Sequence, residues 1–246
     1  MRIAVVGGTG VVGKHVVEAL RSAGHEPVVI ARSTGVDVGS GKGLDGALAG
    51  AKVVVDVSNV ATLGRAASER FFHAAATNLI EAGVRAGVEH LVVLSIVGCD
   101  RVDLGYYFGK REQERIALAG PLPATVLRAT QFHEFAEQLV ERTPGPLLAV
   151  PRMRSQPVAA REAAQALVAL AVGRPAGMAG EIAGPEVHEM PDLVRRVLKA
   201  RGSRRMVTAL RIPGAAGKAL AGGGLLPDGP GMRGTQTFAD WLGSHA

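Results

Sequence analysis

The sequence predicts an α/β protein built on a doubly wound parallel sheet, and three observations carry that expectation. Short apolar runs recur along the first half of the 246-residue chain, helical stretches separate them, and a glycine cluster follows the first run. The runs are "RIAVV" (2–6), "PVVIA" (27–31), "KVVVDV" (52–57), "HLVVLS" (90–95) and "ATVLRA" (124–129). Strands covered by helices on both faces have this nearly continuous apolar composition.

Between the strands, helical patterning falls at 11–23, 65–86 and 106–119, with Gly87 as the stop of the second. Strand–helix alternation of this kind folds as right-handed βαβ units. After about residue 130 the rhythm loosens into a Pro-rich loop, with further helices near 161–172 and 191–201. Residues 221–234, "AGGGLLPDGPGMRG", read as irregular and mobile because Gly and Pro interrupt both periodic structures.

Composition narrows the class. Hydrophobic residues make up 47% and charged residues 20%, a globular balance, and with only 4% aromatics the core falls to Ala, Val and Leu. No apolar run reaches the roughly 18 residues of a membrane span, and glycines break the N-terminal run before any signal-peptide core. Cys99 is the single cysteine, so no internal disulfide is possible. The expectation is a cytoplasmic protein without a membrane partner, monomeric or homodimeric.

The net charge of +6 raises nucleic acid as a partner. Basic residues are scattered, however, apart from Arg195, Arg196, Lys199, Arg201, Arg204 and Arg205. No aromatics interleave with them as a single-strand binder requires, so the expectation is a solvated basic face and no nucleic acid.

The glycine cluster supplies the first functional signal. Gly7, Gly10 and Gly13 have GxxGxxG spacing, and Gly8, Gly10 and Gly13 also spell GxGxxG. At the first strand–helix turn, one glycine permits the tight turn and another lets backbone N–H groups approach a pyrophosphate. The last lets helix and strand pack closely, with the helix N-terminus facing the anion. A purely structural turn is the plainer alternative, and the position in a βαβ unit favours the dinucleotide. "VVIARST" ends the second strand in Arg32 and Ser33 with no carboxylate. A guanidinium there suits the 2′-phosphate of NADP, whereas a merely solvated Arg32 leaves NAD possible. Asp37 and Val38 border the adenine, and Ser58 and Asn59 of "DVSNV" border the linking phosphates and ribose. The expected organisation is an NAD(P)-binding Rossmann-like domain over 1–150. A C-terminal portion, 151–246, completes the sheet and covers the substrate pocket.

The second signal lies in "LSIVGCDRVDLGYYFGKREQER". Tyr106 and Lys110, spaced YxxxK, share one helix face, and Ser95 ends the preceding strand. A phenol can give a proton to a carbonyl oxygen as hydride reaches its carbon. A nearby ammonium would lower the phenol pKa, and a serine hydroxyl would orient the substrate oxygen. The competing account is an amphipathic helix with a packed tyrosine and a solvated lysine.

Taken together, "GGTGVVG", "VVIARST", "VVVDVSN", "AGVEHLVVLSIVG", "YYFGK" and "VLRATQFHEF" resemble the short-chain dehydrogenase/reductase superfamily, in particular its atypical NmrA-like NAD(P)-binding branch. The resemblance covers roughly residues 1–140. It implies that Gly7, Thr9, Gly10, Val11, Val12, Gly13 and Arg32 contact the cofactor and that Lys110 reaches the nicotinamide ribose. It further implies that Ala129 to Phe132, Thr130 included, lie near the nicotinamide. Ser95, Tyr106 and Lys110 match the superfamily's catalytic triad, and Asn78 its structural asparagine. Some members of the branch only sense the cofactor, often lacking the tyrosine that this chain keeps.

The expected function is an NADP(H)-dependent oxidoreductase acting on a small, mainly apolar carbonyl compound or quinone. A cofactor-sensing regulator and an epimerase or isomerase are the alternatives. His73, His90, His133 and His188 are too dispersed for a metal site, "FHEF" reads as pocket wall or surface, and no GxSxG hydrolase elbow occurs.

Overall fold

In chain order the elements of the computed structural model are β1 (Arg2–Val6), α1 (Val11–Ser22), β2 (Glu26–Ile30), a 3-10 turn (Arg32–Thr34), α2 (Leu44–Leu48), β3 (Val53–Asp56), α3 (Arg65–Ala86), β4 (His90–Ile96), α4 (Gly105–Ala119) and β5 (Ala124–Ala129). There follow α5 (Glu134–Arg142), β6 (Leu147–Pro151), β7 (Arg154–Ser155), α6 (Ala160–Val172), β8 (Gly177–Ala183), β9 (His188–Glu189), α7 (Met190–Ala200), β10 (Met206–Leu210), α8 (Gly214–Gly222), β11 (Met232–Arg233) and α9 (Phe238–Gly243). Residues 1–244 are described.

The expected doubly wound sheet is present, with seven strands in the order β11-β8-β5-β4-β3-β1-β2. β1 pairs in parallel with both β2 and β3, and Val6 lies level with Ile30 and with Asp56. The strand order reverses between β1 and β3, so a crevice opens beyond their carboxyl ends, where ligands of such sheets bind. The strands form because both faces are covered: every residue of β3 is buried, and Ile3, Ala4 and Val5 of β1 are wholly inaccessible. α1 turns Val12, Val16, Val17 and Leu20 inward at helical spacing. Ile30, Leu44, Leu48, Val54, Leu79, Leu91 and Val126 form the centre of one core cluster. Each such side chain contributes on the order of 1.5–3 kcal/mol by leaving water.

Two units are compact on their own. The first comprises Met1–Ile96, Leu104–Arg128 and Arg161–Gly180; the second comprises Val97–Asp103, Ala129–Ala160 and the residues from Glu181 on. In the second, β10 pairs in parallel with β6, and β7 pairs antiparallel with β9.

The short helices α2, α5, α8 and α9 are absent from the periodicity reading, which needs longer windows. α9 nevertheless carries a local signal, a capping box: the Thr237 hydroxyl accepts from Asp240 N–H at 3.1 Å, and the Asp240 carboxylate accepts from Thr237 N–H at 3.3 Å. The segment 221–234 is largely irregular, as its Gly and Pro content calls for, and it is contacted from a distant loop. The Arg101 guanidinium donates to the carbonyls of Gly224 at 3.2 Å and Leu226 at 2.6 Å, and also pairs with Asp228.

Candidate active site

The glycine loop has the geometry its spacing calls for. Gly7 is left-handed (φ 76°), and a Cβ on it would stand 2.8 Å from the Val57 carbonyl oxygen. A Cβ on Gly13 would overlap the Gly7 carbonyl and lie 2.7 Å from Gly8 Cα, so helix and turn touch there. Gly10 differs. It is the extended N-cap of α1, and a Cβ on it would meet only the Gly7 oxygen, at 3.2 Å.

No side chain caps α1 and no acid occupies its first turn. The N–H groups of Val11, Val12 and Gly13 therefore face outward with the positive end of the helix dipole, ready for an anion. Thr9, Gly10 and Val11 are exposed, whereas Val12 and Gly13 are buried and offer only backbone.

The exit of β3 forms the second edge. Ser58 Cα lies 3.1 Å from where a Gly7 Cβ would stand, and the Ser58 hydroxyl is buried without a hydrogen-bond partner. An orphaned hydroxyl beside a bare glycine turn fits a ligand rich in oxygens. Arg32 and Ser33 are exposed at the end of β2, and the Arg32 guanidinium pairs with no described residue. The loop after them is braced. Asp37 Oδ1 accepts from Gly39 N–H at 2.9 Å, and the Asn78 carboxamide donates to the carbonyls of Val38 at 2.9 Å and Gly39 at 3.0 Å. Asn78 thus holds the loop that carries Asp37 and Val38.

α4 brings the YxxxK pair to this edge. Its packing on α3 depends on Gly109, where a Cβ would overlap Ser68 Oγ and lie 2.7 Å from the Phe72 ring. The Tyr106 hydroxyl donates to Asn59 Oδ1 at 2.6 Å, and its ring stands edge-on to Phe72 with centroids 5.7 Å apart. Burial, and secondarily Tyr107, push the Tyr106 pKa well above the ordinary phenol value. The lowering expected from Lys110 is thereby corrected: the Lys110 ammonium donates to the Leu94 carbonyl at 2.7 Å and to Gln113 Oε1, and lies 4.7 Å over the Phe72 ring. Ser95 is buried at the end of β4.

The structure therefore brings together, within the first unit, the glycine loop, the Ser58–Asn59 edge, Tyr106 and Lys110. Ala129, Thr130 and Phe132 belong to the second unit, where Thr130 Oγ1 donates to the Gln156 carbonyl at 2.6 Å and Phe132 bridges Val158. His133 is neither pocket wall nor surface; it is buried between Phe238 and Trp241, at centroid distances of 5.6 and 5.7 Å.

Sequence reasoning missed Asp56 and Gln113. Gln113 Nε2 donates to Asp56 Oδ2 at 2.8 Å, and Asp56 Oδ1 accepts from Ser58 N–H at 2.9 Å. The available signal was the spacing of Gln113 three residues after Lys110, on the same helix face.

In the basic cluster, Arg205 donates to the carbonyls of Gly145 at 2.7 Å and Val140 at 3.0 Å, and Arg201 pairs with Glu137 at 2.8 Å. Among the described residues, no group of three or more His, Cys, Asp or Glu is arranged to hold a metal, and no helix is long and apolar enough to cross a membrane.

This geometry defines a doubly wound nucleotide-fold protein with a glycine-rich first turn. Its N-terminal residues 3–97 match the NAD dependent epimerase/dehydratase family, and the whole chain shares its fold with solved structures of NAD(P)-dependent proteins. An NADPH-dependent quinone oxidoreductase from Escherichia coli superposes with a TM-score of 0.72 at 20% identity, over 99% of each chain. A UDP-N-acetylglucosamine 4-epimerase from Bacillus cereus gives 0.70 at 19% identity, over 98% of this chain and 95% of that one. A short-chain dehydrogenase/reductase superfamily protein from Agrobacterium tumefaciens with bound NAD gives 0.70 at 16% identity, over 99% and 95%. No curated protein matches the chain.

Proposed function

We propose that this protein is an NADP(H)-dependent oxidoreductase acting on a small, mainly apolar carbonyl compound or quinone, with Tyr106 as its acid/base. One observation carries the reading: the glycine turn abuts Ser58, and the neighbouring Asn59 accepts the Tyr106 hydroxyl at 2.6 Å. The phenol therefore stands beside the edge that a dinucleotide on this loop would follow.

A nicotinamide dinucleotide bound there would supply or accept the hydride. Gly7, Gly10 and the first turn of α1 would hold its pyrophosphate, the Ser58 hydroxyl a ribose or phosphate oxygen, and Arg32 a 2′-phosphate. Tyr106, its pKa raised by burial, keeps its proton at neutral pH and offers it as a donor. Ser95 orients the substrate oxygen. Lys110, its ammonium held by the Leu94 carbonyl and Gln113, fixes a positive charge over the ring of Phe72 at the base of the site. The Escherichia coli NADPH-dependent quinone oxidoreductase, similar along its whole length, supports the reading as far as NADPH and a quinone. The family match and the 4-epimerase favour a second reading, an epimerase using bound cofactor transiently.

Following NADPH absorbance against a panel of quinones and carbonyl compounds separates the two, because an epimerase consumes none. Tyr106→Phe is expected to keep NADPH affinity and to lower turnover by about 10²–10⁴, the usual worth of general acid–base catalysis. Tyr107→Phe is the control. NADPH consumption by no compound, or undiminished turnover in Tyr106→Phe, overturns the proposal.

A further inference from the structure

Three side chains at the foot of this site are almost completely removed from water: Lys110 is 3% exposed, Asp56 2% and Gln113 1%. Two of them carry opposite charges, and the third stands between. The Lys110 ammonium donates to the Gln113 carboxamide oxygen, and the Gln113 carboxamide nitrogen donates to Asp56 Oδ2 at 2.8 Å. Asp56 Oδ1 in turn takes the Ser58 N–H at 2.9 Å, and Ser58 leads directly into Asn59, the acceptor of the Tyr106 hydroxyl. A buried ammonium and a buried carboxylate are each costly alone, and an amide dipole between them answers both. Its orientation is forced. Turned over, the amide would set NH₂ against ammonium and a carbonyl oxygen against carboxylate.

We infer that Gln113 is a positioning residue of the site: its carboxamide presets the Lys110 ammonium and, through Asp56, the Ser58–Asn59 backbone as one hydrogen-bonded unit. The inference rests on the function proposed above and names a residue outside the Ser95, Tyr106 and Lys110 set. Gln113 touches neither cofactor nor substrate and acts only through its two charged neighbours.

The chemistry predicts a pH signature that simple packing would not produce. In Gln113→Glu one new oxygen still accepts from Lys110, but the other replaces an N–H donor beside Asp56. Two carboxylates this close resist ionising together: the Lys110 ammonium favours the first ionisation, and the second titrates with an apparent pKa raised above the ordinary carboxyl value. Below it, the remaining carboxyl O–H replaces the lost donor and the unit is whole. Above it, the carboxylates repel and the Ser58–Asn59 edge loses its anchor. Gln113→Leu has no donor at any pH.

The experiment measures two quantities for wild type, Gln113→Glu and Gln113→Leu across roughly pH 5 to 8: the melting temperature of the cofactor-free protein and the dissociation constant for NADPH. The expected result is a Gln113→Glu protein that matches wild type at the acid end. Relative to wild type it loses melting temperature and roughly 10- to 150-fold in NADPH affinity as pH rises, the worth of a charge-assisted hydrogen bond. Gln113→Leu is expected to bind weakly throughout. If Gln113→Leu does not fold, the acid end of Gln113→Glu supplies the folded control. Wild-type behaviour of Gln113→Glu at every pH overturns the inference, and so does a melting-temperature loss unaccompanied by any change in NADPH affinity. Absence of NADPH binding by wild type overturns the proposed function itself, and with it the positioning role. The melting curves then still report whether the charge–amide–charge unit exists.

Discussion

Arg32 provides the sharpest test of cofactor choice, because its removal costs the fold little. The side chain is exposed where the chain leaves β2, and its guanidinium makes no ion pair with a described residue. Replacing an exposed, unpaired side chain usually changes stability by no more than about 0.5 kcal/mol. The 3-10 turn itself does not depend on it, since the Thr34 hydroxyl donates to the Ala31 carbonyl at 2.8 Å. A charge-assisted contact to the 2′-phosphate is worth about 1.5–3 kcal/mol, or roughly 10- to 150-fold in affinity. NADH makes every other contact of NADPH but lacks this one. Arg32→Ala is therefore expected to weaken NADPH by that factor and NADH by less than about twofold, at the same melting temperature. The assay is a fluorescence titration of both nucleotides at one fixed ionic strength, since an exposed pair is screened by salt. An equal loss for both nucleotides, or a wild type that prefers NADH, would refute the reasoning.

Other substitutions separate ligand approach from architecture. Gly10→Val is expected to fold and to lose NADPH binding, because its backbone is extended and its nearest neighbour is 3.2 Å from the new Cβ, whereas Gly13→Ala, which overlaps the Gly7 carbonyl, should lower the melting temperature as well. Glu114 and Arg128 form a largely buried bidentate pair at 2.9 and 2.7 Å, so Glu114→Ala, leaving the guanidinium without that carboxylate, is expected to cost about 3–5 kcal/mol in urea unfolding. Burial lowers the pKa of His90, whose Nε2 lies 2.8 Å from Thr125 Oγ1. The folded state then resists protonation that the unfolded chain accepts near pH 6.5. Its stability is present above that pH and declines as pH falls through the depressed value, and His90→Gln should flatten this dependence of melting temperature between roughly pH 7 and 5.

Much of this could be read from the chain because the informative features are local. Five continuous apolar runs announce β1 to β5, since a strand covered on both faces has no polar positions to alternate. Gly7 and Gly13 announce the turn, because the close approaches they permit exclude any side chain. Tyr106 and Lys110 fall on one face by helical geometry alone. The elements that escaped are those whose signal is shorter than a helical window: α2 shows only Leu44 and Leu48 as inward apolar residues. The contacts of 221–234 escaped for another reason. Composition registers glycine and proline, but not that Arg101, more than 120 positions away, donates to the Gly224 and Leu226 carbonyls.

The state of the proposed acid belongs to the same class of hidden fact. From spacing alone, an ammonium four residues after a tyrosine suggests a lowered phenol pKa. That inference assumes the ammonium is directed at the phenol. In the folded chain its charge is drawn inward to the Leu94 carbonyl and to Gln113, and the phenol rises through burial. Lys110 and Gln113 are helical neighbours, yet Asp56 is 57 positions from Gln113 and meets it only when β3 and α4 are both in place. A motif read along the chain can therefore name the groups at a site, but their protonation is set by partners that only the packed sheet brings together. Under the function proposed above, a phenol that retains its proton at neutral pH is positioned to donate it to a substrate oxygen.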